Sequence, residues 1–337
     1  MAKKTETIEL LRFPLAVLII SIHFQGSPVV KEISNQGTSW MLYATPWLWI
    51  RELFSCLSHF AVPVFFAISG YLFFQGGIFS KELYKKKLNS RIYSLLVPYI
   101  AWNLIRFICE LPTKGTEHWA MIFLAPANGQ FWFVRDLIYM SVISPIIFFI
   151  IKKTGCFLPL ACYIITALGL CPWSIHDGLL TCGGLLYFSL GAYLSIRKLN
   201  IDEIFPKIRH ASYLCLTMYL CLKFTFVFTE INRFVELGIF IASFPALFNI
   251  VRKLNDKIKT FLLHFAGTSF FIYAAHKLVG MALQKLFAMA GLRDIFNNDY
   301  FYIFRISIIA SACIVVYYAL KRYCPAIIFK SLTGNRK

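Results

Sequence analysis

The chain has 337 residues, of which 58% are hydrophobic and 15% charged, with a net charge of +18 and a mean hydropathy of +0.66. A soluble domain carries about 25% charged residues, so a water-soluble enzyme is excluded. A transmembrane β-barrel, built from short alternating strands, is excluded as well, because the apolar runs here are continuous over the roughly 20 residues that cross a bilayer.

The first apolar run, 8–24, holds Arg12 near its start and His23 near its end. A charge at the centre of a spanning helix costs roughly 2.5–3.5 kcal/mol, so such residues face a cavity or a partner and mark function by default. Eleven positions at about 100° each make three turns plus roughly 20°, placing both side chains on one helix face about 16 Å apart along the axis. That face shows a fixed cation at one depth and a titratable imidazole at another. The second run, 52–74, ends in VPVFFAISGYLFF, where Ser69 and Gly70 beside Tyr71 offer close backbone approach and hydroxyl groups. Small residues in a span also serve as packing contacts, and the G-x-S-x-G nucleophile elbow is absent. Further spans are predicted at 91–110, 131–151, 157–173, 178–196, 211–229, 231–250, 261–283 and 300–320, about ten in all, or fewer if 157–196 is re-entrant.

The expected fold class is therefore all-α and polytopic, and a single membrane domain over 1–337, without internal repeats or an appended soluble domain, is predicted. The opening MAKKTETIEL and the lack of a small-residue cleavage site after the first run predict no removed signal. With the N-terminus inside, the inner segments hold 22 basic residues and the outer ones six. This bias predicts that both termini are cytoplasmic. It also accounts for most of the net charge, so nucleic acid is not an expected partner. The run KELYKKKLNSR at 81–91 reads as a stop-transfer anchor that also suits anionic lipid headgroups. Ten cysteines lie scattered without a C-x-x-C pair, so neither a metal site nor a disulfide framework is expected. The long segments Gln25–Arg51 and Leu111–Gln130 are predicted to shape an outward vestibule.

Six basic residues lie within the spans: Arg12, Arg106, Arg135, Lys223, Lys277 and Arg305. Asp136 is read as the acid deep in a span, with Glu9, Glu52 and Glu110 near span ends. Buried charges normally pair, so two readings stand. Either the surplus cations line a cavity for an anionic ligand such as a phosphorylated cofactor, or they snorkel to the interface. Span histidines are often interhelical hydrogen-bond partners. The register of His23 with Arg12 singles it out as the group to take a proton from a hydroxyl near neutral pH.

These pieces, together and in order, resemble acyltransferase family 3, the bacterial integral-membrane acyltransferases that modify surface carbohydrates. The carrying residues are Arg12 and His23 in an R-x10-H arrangement, FFAISGYLF at 65–73, RIYSLLVPY at 91–99, FWFVRDL at 131–137, GLLYFSLGAYL at 184–194 and FFIYAAH at 270–276. The resemblance implies a multi-pass protein of the bacterial inner membrane. Its implied activity is transfer of an acyl group, usually acetyl, from cytoplasmic acyl-CoA to a hydroxyl of an extracytoplasmic or lipid-linked sugar. It implies His23 and Arg12 as catalytic residues, His23 being the general base. Arg12 would also hold acyl-CoA, with Ser69, Tyr71 and Arg91. Arg135, His276 and Lys277 are candidates for the acceptor or the developing oxyanion. No residue is identified to orient His23. A transporter of an anionic glycan intermediate and an assembly subunit of a polysaccharide synthase remain as rival readings; the first predicts an internal repeat, the second tolerance of substitution at Arg12 and His23.

Overall fold

The computed structural model describes residues 6–24, 46–76, 79–114, 126, 128–170, 180–225 and 232–334. Most of the two long segments read as a vestibule lies outside them. Among the described residues every regular element is helical.

Helix α1 (Glu6–His23) is continuous through both Arg12 and His23, although Pro14 removes one backbone donor from its middle. Helices α2 (Pro46–Ser58) and α3 (Ala61–Phe73) together form an apolar stretch over Trp49–Phe73. The basic helix α4 (Lys81–Arg91) buries no residue. It passes through a π-helical turn, Ile92–Leu96, into α5 (Val97–Lys114).

Next come α6 (Trp132–Val142) and α7 (Ser144–Thr154), then α8 (Phe157–Ala167) and α9 (Cys182–Ile196). The second half comprises α10 (Ile201–Lys207), α11 (Arg209–Thr225), α12 (Arg233–Ala242), α13 (Phe244–Arg252), α14 (Asp256–Ala266) and α15 (Ser269–Met289). It closes with α16 (Arg293–Asn297), α17 (Tyr302–Tyr323) and α18 (Ala326–Thr333).

Among the described residues, four to six of the ten spans expected from hydropathy are seen as helices long and apolar enough to cross a membrane. By length and composition, four described stretches can cross a membrane: Trp49–Phe73, Lys81–Glu110, Arg233–Arg252 and Tyr302–Tyr323. Two bent pairs raise the number to six. The predicted span 131–151 is broken between α6 and α7 by 67°, where Pro145 opens α7. The span 261–283 is broken by 69° between α14 and α15, across Gly267 and Thr268. Helices α8 and α9, at 11 and 15 residues, are shorter than a bilayer crossing requires. Helix α1 has 18 residues but carries Glu6, Glu9 and Arg12.

Polar clamps fix the relative placement of the ends. Thr7 Oγ1 donates to Asp202 Oδ1 at 3.0 Å, and Arg252 Nη2 reaches the same oxygen at 2.6 Å. The start of α1 is thereby tied to α10 and α13. At the other end of the chain, Trp102 Nε1 donates to the Leu332 carbonyl at 2.9 Å. Gly334, at φ +72°, closes so tightly on α4–α5 that a Cβ there would lie 2.7 Å from the Ser94 carbonyl oxygen. Glu9 and Gly334 line one and the same cavity, so the start of α1 and the end of α18 share one side of the bundle.

Helices α3 and α9 cross in direct backbone contact. A Cβ on Gly70 would sit 2.0 Å from the Phe188 carbonyl oxygen, and one on Gly191 would sit 1.8 Å from that of Ala67. The close approach read from the S-G-Y motif is therefore a backbone-on-backbone contact, the use to which small residues are put between membrane helices. The obstacle is main chain, so no rotamer change relieves it. Gly191→Ala is expected to force the helices apart and to cost more than the ~1–3 kcal/mol of ordinary overpacking. Thermal unfolding of the purified variant in detergent checks this; an unchanged melting temperature contradicts it.

Candidate active site

A cavity of about 470 Å³ opens between α1, α3, the α4–α5 junction, α6 and α15. Its polar residues gather around Glu9 and Arg12 of α1, Ser90 and Arg91 at the end of α4, Ser94 in the π turn, and Ser69 of α3. A π-helical turn placed at such a wall is a common feature of functional sites. Beyond the polar part the lining is apolar and aromatic, with Phe65, Phe133, Leu137, Phe188, Phe270 and Tyr273. The cavity thus combines charged and hydroxyl groups with an apolar, aromatic lining. One more cation borders it: the Lys87 ammonium lies 5.3 Å from the centre of the Phe73 ring, over which the Arg91 guanidinium also sits at 5.6 Å. Arg12 is itself paired with Glu9, Nη1 to Oε2 at 2.8 Å, one turn back on α1.

Of the residues singled out from sequence, Arg12, Ser69 and Arg91 meet in this cavity although they come from three separate helices. Tyr71 does not line it. It is buried beside Ile201 and Asp202, where α3 faces α9 and α10. Arg135 is buried away from it as well. Its Nε and Nη2 donate to Asp136 Oδ1 at 3.1 and 3.0 Å, while Asp136 Oδ2 accepts from the backbone N–H and hydroxyl of Thr181 at 2.9 and 2.7 Å. Thr181 in turn caps α9, its Oγ1 accepting from Gly184 N at 3.1 Å. Arg135 therefore takes part in a structural clamp that locks α6 to the start of α9.

His23 and His276 form a second centre. Their rings are stacked with centroids 5.1 Å apart and planes 24° apart. Phe24 seats on Gly280, where a Cβ would meet the Phe24 Cζ at 2.1 Å, and turns its ring edge-to-face to His276. The His276 Nδ1 lies 2.7 Å from the Tyr273 carbonyl oxygen and 3.1 Å from that of Ile272. Carbonyls only accept, so Nδ1 carries the proton and Nε2, buried and without a partner among the described residues, keeps its lone pair. A neutral His276 thus presents an acceptor at Nε2, not the donor that an oxyanion needs. Neither histidine lines the cavity. Tyr273 does, and it stands one turn before His276 with its hydroxyl on the Gln130 carbonyl. Gln130 also clamps this turn, its Nε2 donating to the carbonyls of Tyr273 and Ala274 at 2.9 and 2.8 Å.

The surplus of intramembrane cations shrinks on inspection. Arg12 pairs with Glu9, Arg106 with Glu110, Arg135 with Asp136 and Lys223 with Glu236. The sequence reading counted Asp136 as the deep acid and overlooked Glu236, which stands in the first turn of α12. Arg305 donates to the Phe296 carbonyl at 3.1 Å and lies over the Tyr302 ring. Sequence reasoning also missed Ser90, Ser94 and Gly334 at the cavity wall. No local signal marks them, since they arrive there through the π turn and the docking of α18.

The profile of acyltransferase family 3, described as an acyltransferase domain, matches residues 6–320. The chain is also similar to the succinoglycan biosynthesis protein ExoH of Rhizobium meliloti (strain 1021). The two are 23% identical over 370 aligned positions that cover 99% of this chain and 93% of that protein. No solved structure matches the chain.

Proposed function

The chain belongs to acyltransferase family 3 and is a multi-pass membrane acyltransferase, and from this we propose that it moves an acyl group from acyl-CoA to a sugar hydroxyl across the membrane. The acceptor is an extracytoplasmic or lipid-linked glycan, a reading supported by the succinoglycan biosynthesis named for its relative. Acetyl is the proposed acyl group and the bacterial inner membrane the proposed location. The observation that carries the donor assignment is the cavity in which Arg12, Ser69 and Arg91 meet. Acyl-CoA bears phosphates that cannot enter hydrocarbon and a thin arm that can. The cationic part of the cavity, with Lys87 beside it, suits the phosphates, and the aromatic part suits the arm. The start of α1 and the end of α18 share that side of the bundle, and the excess of basic residues in the flanking segments supports reading it as the cytoplasmic one.

The hydroxyl and the thioester react in one addition and one elimination. The hydroxyl oxygen bonds to the thioester carbonyl carbon while His23 takes the hydroxyl proton. The tetrahedral intermediate then expels the CoA thiolate, and the proton passes from His23 to that sulfur. His23 ends neutral, the sugar carries the ester and CoA leaves as the thiol. A positioned base of this kind contributes about 10²–10⁴-fold, and holding two substrates together supplies a further large share. His276, stacked on His23, holds the base ring in place and so fills the orienting position left open by the sequence. The arm must pass Tyr273 to reach the pair.

Arg12→Ala is expected to raise the KM for acyl-CoA more than that for the acceptor, with kcat less affected. Initial rates in proteoliposomes, with each substrate varied in turn, check this. A rise confined to the acceptor KM contradicts the donor role.

A further inference from the structure

Among the six basic residues in the predicted spans, Lys277 stands apart. It lies half-buried on α15, and among the described residues no carboxylate is within ion-pair distance of its ammonium. Three basic groups, His23, His276 and Arg106, lie within electrostatic range of it. Arg106 reaches the same face of α15, its Nη1 lying 3.6 Å from the sulfur of Met281, one turn beyond Lys277. Three elements, α1, α5 and α15, thus bring positive or protonatable groups to one place, and Glu110, already held by Arg106, is the acid found there. A partly desolvated ammonium with basic neighbours is costly as it stands, and a bound anion offsets that cost. The cluster is distinct from the donor cavity. His23 and Arg12 stand about 16 Å apart along α1, and neither Lys277 nor Arg106 lines the cavity with Arg12 and Arg91.

We propose that Lys277 and Arg106 form an anion-recognition site for the acceptor, so that the glycan acylated at His23 carries a phosphate or carboxylate close to the reacting hydroxyl. This deepens the acyltransfer reading and rests on it. Two sets of cations then divide the work: Arg12 and Arg91 hold the phosphates of the donor, and Lys277 and Arg106 the anion of the acceptor. The two sources of that anion, the diphosphate of a lipid-linked sugar and an acidic sugar residue, are separable by experiment.

The test measures acyl transfer in proteoliposomes to three probes: octyl glucoside, octyl glucuronide and polyprenyl-diphosphate-linked glucose. The wild-type chain is expected to favour at least one charged probe over the neutral one by about tenfold in kcat/KM, equivalent to ~1.4 kcal/mol. Which charged probe is preferred identifies the source. Lys277→Gln and Arg106→Gln are expected to bring the ratio close to one through the acceptor KM, without raising the acyl-CoA KM, while Lys277→Arg retains the preference. Equal use of all three probes by the wild type overturns the anion site and leaves the acyltransfer reading standing. So does an equal loss on charged and neutral probes in folded Lys277→Gln. Absence of acyl-CoA-dependent transfer to any probe overturns the acyltransfer reading and the anion site with it.

Discussion

His23→Ala is expected to lower kcat by about 10²–10⁴-fold, the span that general-base catalysis commonly supplies, with little change in the KM for acyl-CoA. The donor KM is spared because His23 lies at the far end of α1 from Arg12 and does not line the cavity. Its ring contacts His276, which is held by the Tyr273 and Ile272 carbonyls and not by His23. Removing it therefore leaves the second imidazole in place. Single-turnover transfer of labelled acyl groups, on protein shown to be folded, measures the effect. Normal turnover in the variant rules out His23 as the base. His276→Asn adds a separate reading. It keeps a donor near the two carbonyls but loses the stacked ring, so it should lower kcat less than His23→Ala does.

Asp136→Ala is expected to have the largest effect on stability. The Arg135 and Asp136 side chains are 1% and 0% exposed, so removing the carboxylate takes the ion-pair partner from a buried guanidinium. Breaking a buried ion pair from one side costs about 3–5 kcal/mol. Two further groups lose their acceptor, the backbone N–H and the hydroxyl of Thr181. Because Thr181 caps α9, the damage reaches the helix that carries Gly191 and Phe188. Asp136→Asn retains an oxygen for Thr181 and removes only the charge, so it should be affected less. Melting temperatures in detergent rank the wild type first, Asn next and Ala last. An Ala variant as stable as the wild type contradicts the clamp.

What was legible in the sequence follows from local geometry. The spacing of Arg12 and His23 fixes their separation once one helix spans both, and α1 does. Ser69 and Gly70 announced close approach, and the α3–α9 crossing is the place. Hydropathy located apolar segments but could not show where they break. Whether Pro145 opens a new helix or bends an old one depends on the packing around it. The same holds for Gly267 and Thr268, so composition alone does not fix how many of the apolar segments cross as continuous helices. Partner choice was the other blind spot. Arg135 adjoins Asp136 in sequence, but the Thr181 that completes their network is 45 positions away. His23 and His276 come from opposite ends of the chain, and nothing in either segment says that their rings stack. The C-terminal helix reaches the cavity wall through Gly334 for the same reason: its docking is decided by Trp102 and Ser94, far away in sequence.

The central claim is directional: donor from the side of the bundle where the chain ends meet, acceptor at the other end of α1. Proteoliposomes holding the chain in one orientation test it most directly, with labelled acetyl-CoA supplied on one face only and a membrane-impermeant glycan acceptor on the other. The account predicts labelled glycan when acetyl-CoA is on the face that exposes the termini, and none when the two substrates are exchanged. Transfer that requires both substrates on the same face, or labelled product without dependence on sidedness, would contradict it.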